Sequence, residues 1–219
     1  MKTEFTQQAQ TSLLSLADPK RANAMRAYMR EQFEYLGIPT PRRRAELKSQ
    51  LRELKGAGHA SLLTLANELW ELPEREYQYV ALDLLSMHSK ELQIADIPAL
   101  LTLVQRKSWW DTVDALATIT GDVLRGQHDY MDRALTHENF WMRRIALLHQ
   151  LGWREKTDST RLYSYCLILA HEKEFFIQKA IGWALRNYAR HAPEQVRQFT
   201  QQNKSTLSAL SYREANKHL

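Results

Sequence analysis

The chain has 219 residues, 44% of them hydrophobic, enough apolar material for one compact domain or one short solenoid. Seven Gly and six Pro exclude a turn-heavy β fold and a long disordered tail; the single cysteine, Cys166, excludes an internal disulfide, and no Cys/His ligand spacing surrounds it. The net charge of +5 points to an acidic partner such as nucleic acid or an anionic membrane, although a soluble basic protein without such a partner carries the same charge.

From the N-terminus onward, apolar residues recur at three- and four-residue spacing and strand-type alternation is nearly absent. Met1-Lys2-Thr3-Glu4 leads no apolar stretch of signal-peptide length, and no run approaches the ~20 apolar residues of a membrane span. The expected compartment is the cytoplasm. Gly37-Ile38-Pro39-Thr40-Pro41 separates an N-terminal helical pair from the rest, and Gly56-Ala57-Gly58 marks a second break. Pro73, Pro98 and Pro193 each stand where a first helical residue belongs, a position that tolerates the missing N–H. His137-Glu138-Asn139 and Asp158-Ser159 read as further turns. The pattern predicts about a dozen helices of roughly 10–17 residues, in a single domain over residues 1–219. Cys166, inside Tyr163-Ser164-Tyr165-Cys166-Leu167-Ile168-Leu169, reads as a buried core thiol.

Repetition supports a stack of helix pairs. Trp141-Met142-Arg143-Arg144-Ile145-Ala146 resembles Phe176-Ile177-Gln178-Lys179-Ala180-Ile181 at an offset of 35 residues. Trp110 to Asp114 lies about 30 residues before Phe140 to Arg144. That is the length of a HEAT-type repeat. The expected fold is an all-α, HEAT-like helical repeat solenoid, an α-α superhelix curved around a basic concave groove.

The densest feature is Lys107-Ser108-Trp109-Trp110-Asp111-Thr112-Val113-Asp114. Ser108 reads as an N-cap with Asp111 as the acidic arm of a capping-box-like start, which explains Asp111 but not Asp114. Trp109, Val113, Leu116 and Thr120 share a core face. Trp110, Asp114, Ala117 and Gly121 share another, with small residues that leave room beside the aromatic and the carboxylate. A partly exposed Trp beside a solvated Asp produces the same pattern.

Between Glu174 and Arg190 an apolar stripe of Ile177, Ile181, Ala184, Leu185 and Tyr188 runs beside a second stripe of Lys179, Trp183, Arg186 and Arg190. Cations interleaved with an aromatic suit a nucleic-acid surface: the cations neutralise phosphates and the ring packs on sugar or base. A Trp covered by basic stems at a repeat junction is the competing account. Arg143 lines up with a polar face and reads as a solvated residue; Arg144 lies at the edge of an apolar stripe, where a guanidinium suits a phosphate clamp. Helix geometry does not decide between them. Lys20-Arg21, Arg26 to Arg30, Arg42-Arg43-Arg44 and Arg106-Lys107 read as solvated basic faces able to supply backbone contacts. There is no Gly-rich phosphate loop, metal-ligand cluster or nucleophile elbow.

Four stretches resemble the AlkD-type DNA alkylation-repair glycosylases: Met25 to Arg30 leading to Tyr35 through Arg43; Ser108-Trp109-Trp110-Asp111-Thr112-Val113-Asp114; Trp141-Met142-Arg143-Arg144; and Phe176-Ile177-Gln178-Lys179-Ala180-Ile181-Gly182-Trp183-Ala184-Leu185-Arg186. They run in family order along nearly the whole chain. The resemblance implies HEAT-like repeats with double-stranded DNA in the groove and excision of N3- and N7-alkylated purines without taking the base from the stack. It implies a site of Trp110, Asp114, Arg144 and Trp183, with Tyr28 near the DNA. It favours Arg144 over Arg143 as the contact beside the lesion. A monomer without cofactor or metal is expected. The alternative is a non-catalytic HEAT-repeat protein that binds distorted DNA.

Overall fold

The computed structural model describes residues 3–219; Met1 and Lys2, half of the N-terminal stretch inspected for a leader, lie outside them. The described residues form thirteen α-helices and three 3₁₀ turns, with a single isolated bridge between Glu34 and Glu74 in place of any strand. The all-α class expected from the apolar spacing is what the chain adopts. Most of its helices fall in the expected length range, up to 15 residues in α7 (Trp110–Leu124) and α11 (Phe175–Ala189), while the shortest, α8 (Asp129–Ala134), has 6. Contacts divide the chain into two compact units, residues 1–99 and 100–219.

The first unit holds α1 (Glu4–Leu14), α2 (Pro19–Tyr28), α3 (Thr40–Glu53), α4 (His59–Glu71) and α5 (Arg75–Met87). The Gly-Ile-Pro break is held by Glu76, a fully buried carboxylate. It accepts the backbone N–H groups of Leu36, Gly37 and Ile38 at 2.9–3.0 Å. Three amide donors replace the water that the charge gives up on burial. Gly37 has φ 87°, and a Cβ there would stand 2.1 Å from the Asp18 carbonyl oxygen, so the bend requires glycine. Not every arginine of the basic runs is solvated: Arg43 is 3% exposed and pairs with Asp83 at 3.1 Å. Pro73 precedes the N-cap of α5 instead of opening the helix, and Pro98 is the second residue of α6 (Ile97–Val104). Pro193 opens α12 (Pro193–Gln202) as expected.

The second unit contains α7 and α8, then α9 (Phe140–Leu148), α10 (Ser159–Ile168), α11, α12 and α13 (Ala209–Ala215). Its core comes from the apolar stripes: Val113 and Leu116 of α7, Ile145 and Leu148 of α9, Ile177, Ile181 and Leu185 of α11, all at most 1% exposed. Each such side chain stabilises the fold by ~1.5–3 kcal/mol relative to exposure. Cys166 is fully buried among them, and burial pushes its thiol far up, so it is not a nucleophile. Asn139 caps α9 by accepting from the Trp141 N–H at 3.0 Å, and Asp158 caps α10 by accepting from Arg161 at 2.9 Å.

Two local expectations about α7 are corrected. Ser108 is not its cap; the hydroxyl turns back to the Val104 carbonyl at 2.6 Å, and Trp109 occupies the N-cap position with no side-chain cap. Ala117 and Gly121 do not line the space beside Trp110 and Asp114. Ala117 is fully buried, and a Cβ on Gly121 would lie 1.8 Å from the His149 carbonyl oxygen. The missing side chain at Gly121 lets α7 and the end of α9 meet backbone to backbone.

Candidate nucleic-acid interface and active site

Helices α7, α9 and α11 each begin on an aromatic, Trp110, Phe140 and Phe175, with Trp109 at the N-cap of α7 and Trp141 and Phe176 second in α9 and α11. These aromatics gather into one cluster: Trp109 to Phe176 is 5.2 Å between ring centroids, Trp141 to Phe176 is 4.9 Å and Phe140 to Trp141 is 4.5 Å. Aromatic contacts of this kind contribute ~0.5–1.5 kcal/mol beyond area burial. They also align the three first turns. The fifth residue of each helix is then Asp114, Arg144 and Lys179, and all three face one cleft.

That cleft has a volume of about 320 Å³ and is lined by Trp110, Asp114, Arg144, Phe175, Phe176, Lys179, Trp183, Arg186 and Glu214. Arg144 grips Asp114 with a two-pronged fork, Nε to Oδ1 at 2.8 Å and Nη2 to Oδ2 at 2.9 Å. Its remaining Nη1 donates to the Phe176 carbonyl of α11. The two side chains are 5% and 13% exposed. Burial pushes the Asp114 carboxyl above the ordinary aspartate value; the hydrogen bonds and charge of Arg144 pull it back, and the nearby Asp111 charge adds to the rise. Asp114 is therefore neither solvated nor loosely placed. Trp110 and Trp183 are half-buried at the cleft.

Adjacent on α9, Arg143 and Arg144 point to different partners. Arg143 is not the solvated residue its polar face implied. It donates to both Glu172 carboxylate oxygens at 2.5 and 3.0 Å and to the carbonyls of His137 and Glu138, which ties α9 to the turn before α11. On α11, Lys179 and Arg186 both reach Glu214 of α13, at 3.1 and 2.6 Å. Arg190 is exposed at the α11 C-cap and outside the cleft lining. Tyr28, at the end of α2 in the first unit, is 74% exposed.

Phe175, Phe176 and Glu214 were absent from the sequence reading of the site. Phe176 was visible there as the repeat partner of Trp141 and the first residue of the fourth family-like stretch, without a role in the site. Glu214 carries no local signal, because its two cations lie 28 and 35 residues upstream. Gly182 explains its arrival: a Cβ on Gly182 would stand 2.5 Å from the Glu214 Cβ and 2.9 Å from the Ser211 carbonyl oxygen. Without one, α13 lies close along α11. Among the described residues no group of three or more His, Cys, Asp or Glu is placed to hold a metal ion, and no helix is long and apolar enough to cross a membrane.

The model of the DNA alkylation repair enzyme family matches residues 9–219. The chain belongs to that family. A solved structure described as a predicted DNA alkylation repair enzyme from Enterococcus faecalis is 36% identical, covering 93% of this chain and 96% of its own, with a TM-score of 0.85. No match is found among curated proteins. As a member of the DNA alkylation repair enzymes, the chain has DNA as its substrate. The buried Asp114–Arg144 pair and two indoles line one cleft of that enzyme.

Proposed function

We propose that this protein is a DNA glycosylase of base-excision repair that hydrolyses the N-glycosidic bond of cationic N3- and N7-alkylpurines in duplex DNA. It acts as a monomer, in the cytoplasm, through HEAT-like repeats. The observation that carries the reading is the fixed Asp114 carboxylate, held by Arg144 in a cleft with Trp110 and Trp183.

An alkylated purine of this class already carries a positive charge. When its bond to C1′ breaks, the electron pair goes to the purine nitrogen and the base leaves neutral. No general acid is required. Positive charge moves to the deoxyribose, and water adds at C1′ with loss of a proton. A preorganised carboxylate stabilises such a charge as it develops. Two unit charges 4 Å apart interact by ~4 kcal/mol at an effective dielectric near 20, which is about three powers of ten in rate. Asp114 supplies that charge and orients the water. The electron-rich faces of Trp110 and Trp183 attract the same developing cation. The cleft lining is aromatic or charged throughout. Excision with the base left in the stack, in contrast to enzymes that flip it into a pocket, is the part of this reading that rests on the resemblance alone. The proposal assigns Arg144, Arg190, Arg143 and Tyr28 to DNA contacts, places Lys179 and Arg186 on the same DNA-facing surface while paired to Glu214, and has Arg144 additionally hold the carboxylate.

A second reading, a non-catalytic protein that binds distorted DNA, is favoured by one observation. Both Asp114 oxygens are already engaged by Arg144, so the carboxylate has a structural use. Incubation with methylated DNA separates the two. The proposal expects wild-type protein to release 7-methylguanine and Asp114→Asn to lose about three powers of ten in rate while still binding. Absence of release by wild type leaves the binding reading alone standing.

A further inference from the structure

The cleft contains three cations and two carboxylates. Asp114 takes Arg144. Glu214 takes both others, Lys179 Nζ at Oε1, 3.1 Å, and Arg186 Nη1 at Oε2, 2.6 Å. Its carboxylate is 15% exposed and is held below the ordinary glutamate range by those two partners. The pairing is built into the helix packing. Gly182, between the two cations on α11, admits the α13 backbone, and Ser211 Oγ pins α13 by donating to the Gln178 carbonyl at 2.9 Å. A surface made to attract DNA phosphates gains from unpaired cations; here a second carboxylate is delivered that offsets one of their two positive charges.

We propose that Glu214 is a specificity-determining residue that withholds Lys179 and Arg186 from the phosphates of undamaged DNA and keeps the cleft selective for a cationic nucleotide. The proposal rests on reading this cleft as the DNA site. A carboxylate that stays in place weakens contact with any ordinary phosphate. The same carboxylate lowers the positive charge of the cleft by one unit, so the charge that only an alkylated purine brings meets less repulsion than it would from Lys179 and Arg186 alone. The binding energy lost on normal duplex is thereby not lost on the lesion.

The test is binding of wild type, Glu214→Gln, Glu214→Asp and Lys179→Gln to an undamaged duplex across a range of salt concentrations. Glu214→Gln is expected to bind about tenfold more tightly at low salt, with a log K against log salt slope steeper by about 1–2, as one or two new phosphate contacts require. Glu214→Asp retains the charge and is expected to stay near the wild-type slope, which a merely structural role for Glu214 does not predict. The Glu214→Gln preference for methylated over undamaged duplex is expected to fall by about the same tenfold. Lys179→Gln, a change on a part-exposed side chain, tests the idea even if Glu214→Gln does not fold. Its slope is expected to fall by well under the ~0.9 of a full phosphate contact. An unchanged or shallower slope in folded Glu214→Gln, or a full 0.9 loss in Lys179→Gln, overturns the proposal while leaving the glycosylase reading intact, because neither readout needs base release. Failure of wild type to bind duplex DNA overturns both.

Discussion

At the scale of single residues, Asp114 and Arg144 are a pair in which each partner makes the other tolerable. Removing one partner of a buried ion pair leaves an uncompensated charge and costs ~3–5 kcal/mol. Arg144→Gln is therefore expected to lower the unfolding free energy by about 3 kcal/mol, read by denaturant titration. It is also expected to change a pH profile. A carboxyl raised on folding holds its proton longer in the folded chain, so its contribution to stability is fully present below the unfolded value of 3.8 and is lost as pH rises through the folded value. For activity the sign reverses, because the ionised form is the useful one. The acid limb of base release is expected above that of an ordinary aspartate, and higher still in Arg144→Gln, where the downward pull of the guanidinium is gone. A limb that stays in place or moves down in the variant contradicts the assigned partnership. His149 gives a second pH signature. It is fully buried; its Nδ1 bonds the Ala146 carbonyl at 2.7 Å and its Nε2 faces His128 Nδ1 at 3.0 Å. A carbonyl only accepts, so Nδ1 carries the proton and Nε2 accepts from His128. Burial lowers the His149 pKa to about 4. The folded state then refuses a proton that the unfolded chain accepts, and stability is lost as pH falls from 6.5 towards 4, by up to ~1.4 kcal/mol per pH unit. Denaturant titrations at steps across that range check the slope.

At the scale of elements, the site is a consequence of register. Three helices start with aromatics that cluster, so the fifth residue of each arrives at one place. Only the equivalence was legible in the sequence: the 35-residue offset aligned Arg144 with Lys179 and the earlier offset aligned Asp114 with Arg144. The contact between Asp114 and Arg144 was not legible, because a repeat offset gives equivalence and says nothing of side-chain direction. Arg143 and Arg144 differ by one helix step of about 100°, and only packing shows which faces the cleft. Ala117 and Gly121 were misread for a related reason. A small residue marks either free space or a close approach, and the spacing alone does not tell which. Gly→Ala in a helix ordinarily gains ~1 kcal/mol. At Gly121 the new Cβ meets a backbone oxygen at 1.8 Å, and at Gly182 it meets the Glu214 Cβ at 2.5 Å. Neither neighbour is the free end of a flexible chain, so the clash wins. Gly121→Ala is expected to destabilise by ~3 kcal/mol or more and Gly182→Ala by ~1–3 kcal/mol. A rise in melting temperature for either variant contradicts the packing described.

At the scale of the whole molecule, the +5 charge indicated an acidic partner, and the family match extends across both compact units, from residue 9 to 219. The helical class was legible because the apolar spacing persists through nearly every segment. The countercharge in the cleft was not, because α13 reaches it from the far end of the chain. Net charge therefore overstates how much free cation the cleft offers: Arg144, Lys179 and Arg186 are all engaged by carboxylates. The central claim is that this partly neutralised cleft cleaves the bond to a cationic base through a carboxylate and no general acid. The most direct measurement is single-turnover release of 7-methylguanine from a methylated duplex by wild type and Asp114→Asn, with duplex binding measured alongside. The account predicts release by wild type, a loss of about three powers of ten in the variant, and duplex binding retained by both. Equal release by the two proteins, or none by wild type, contradicts it.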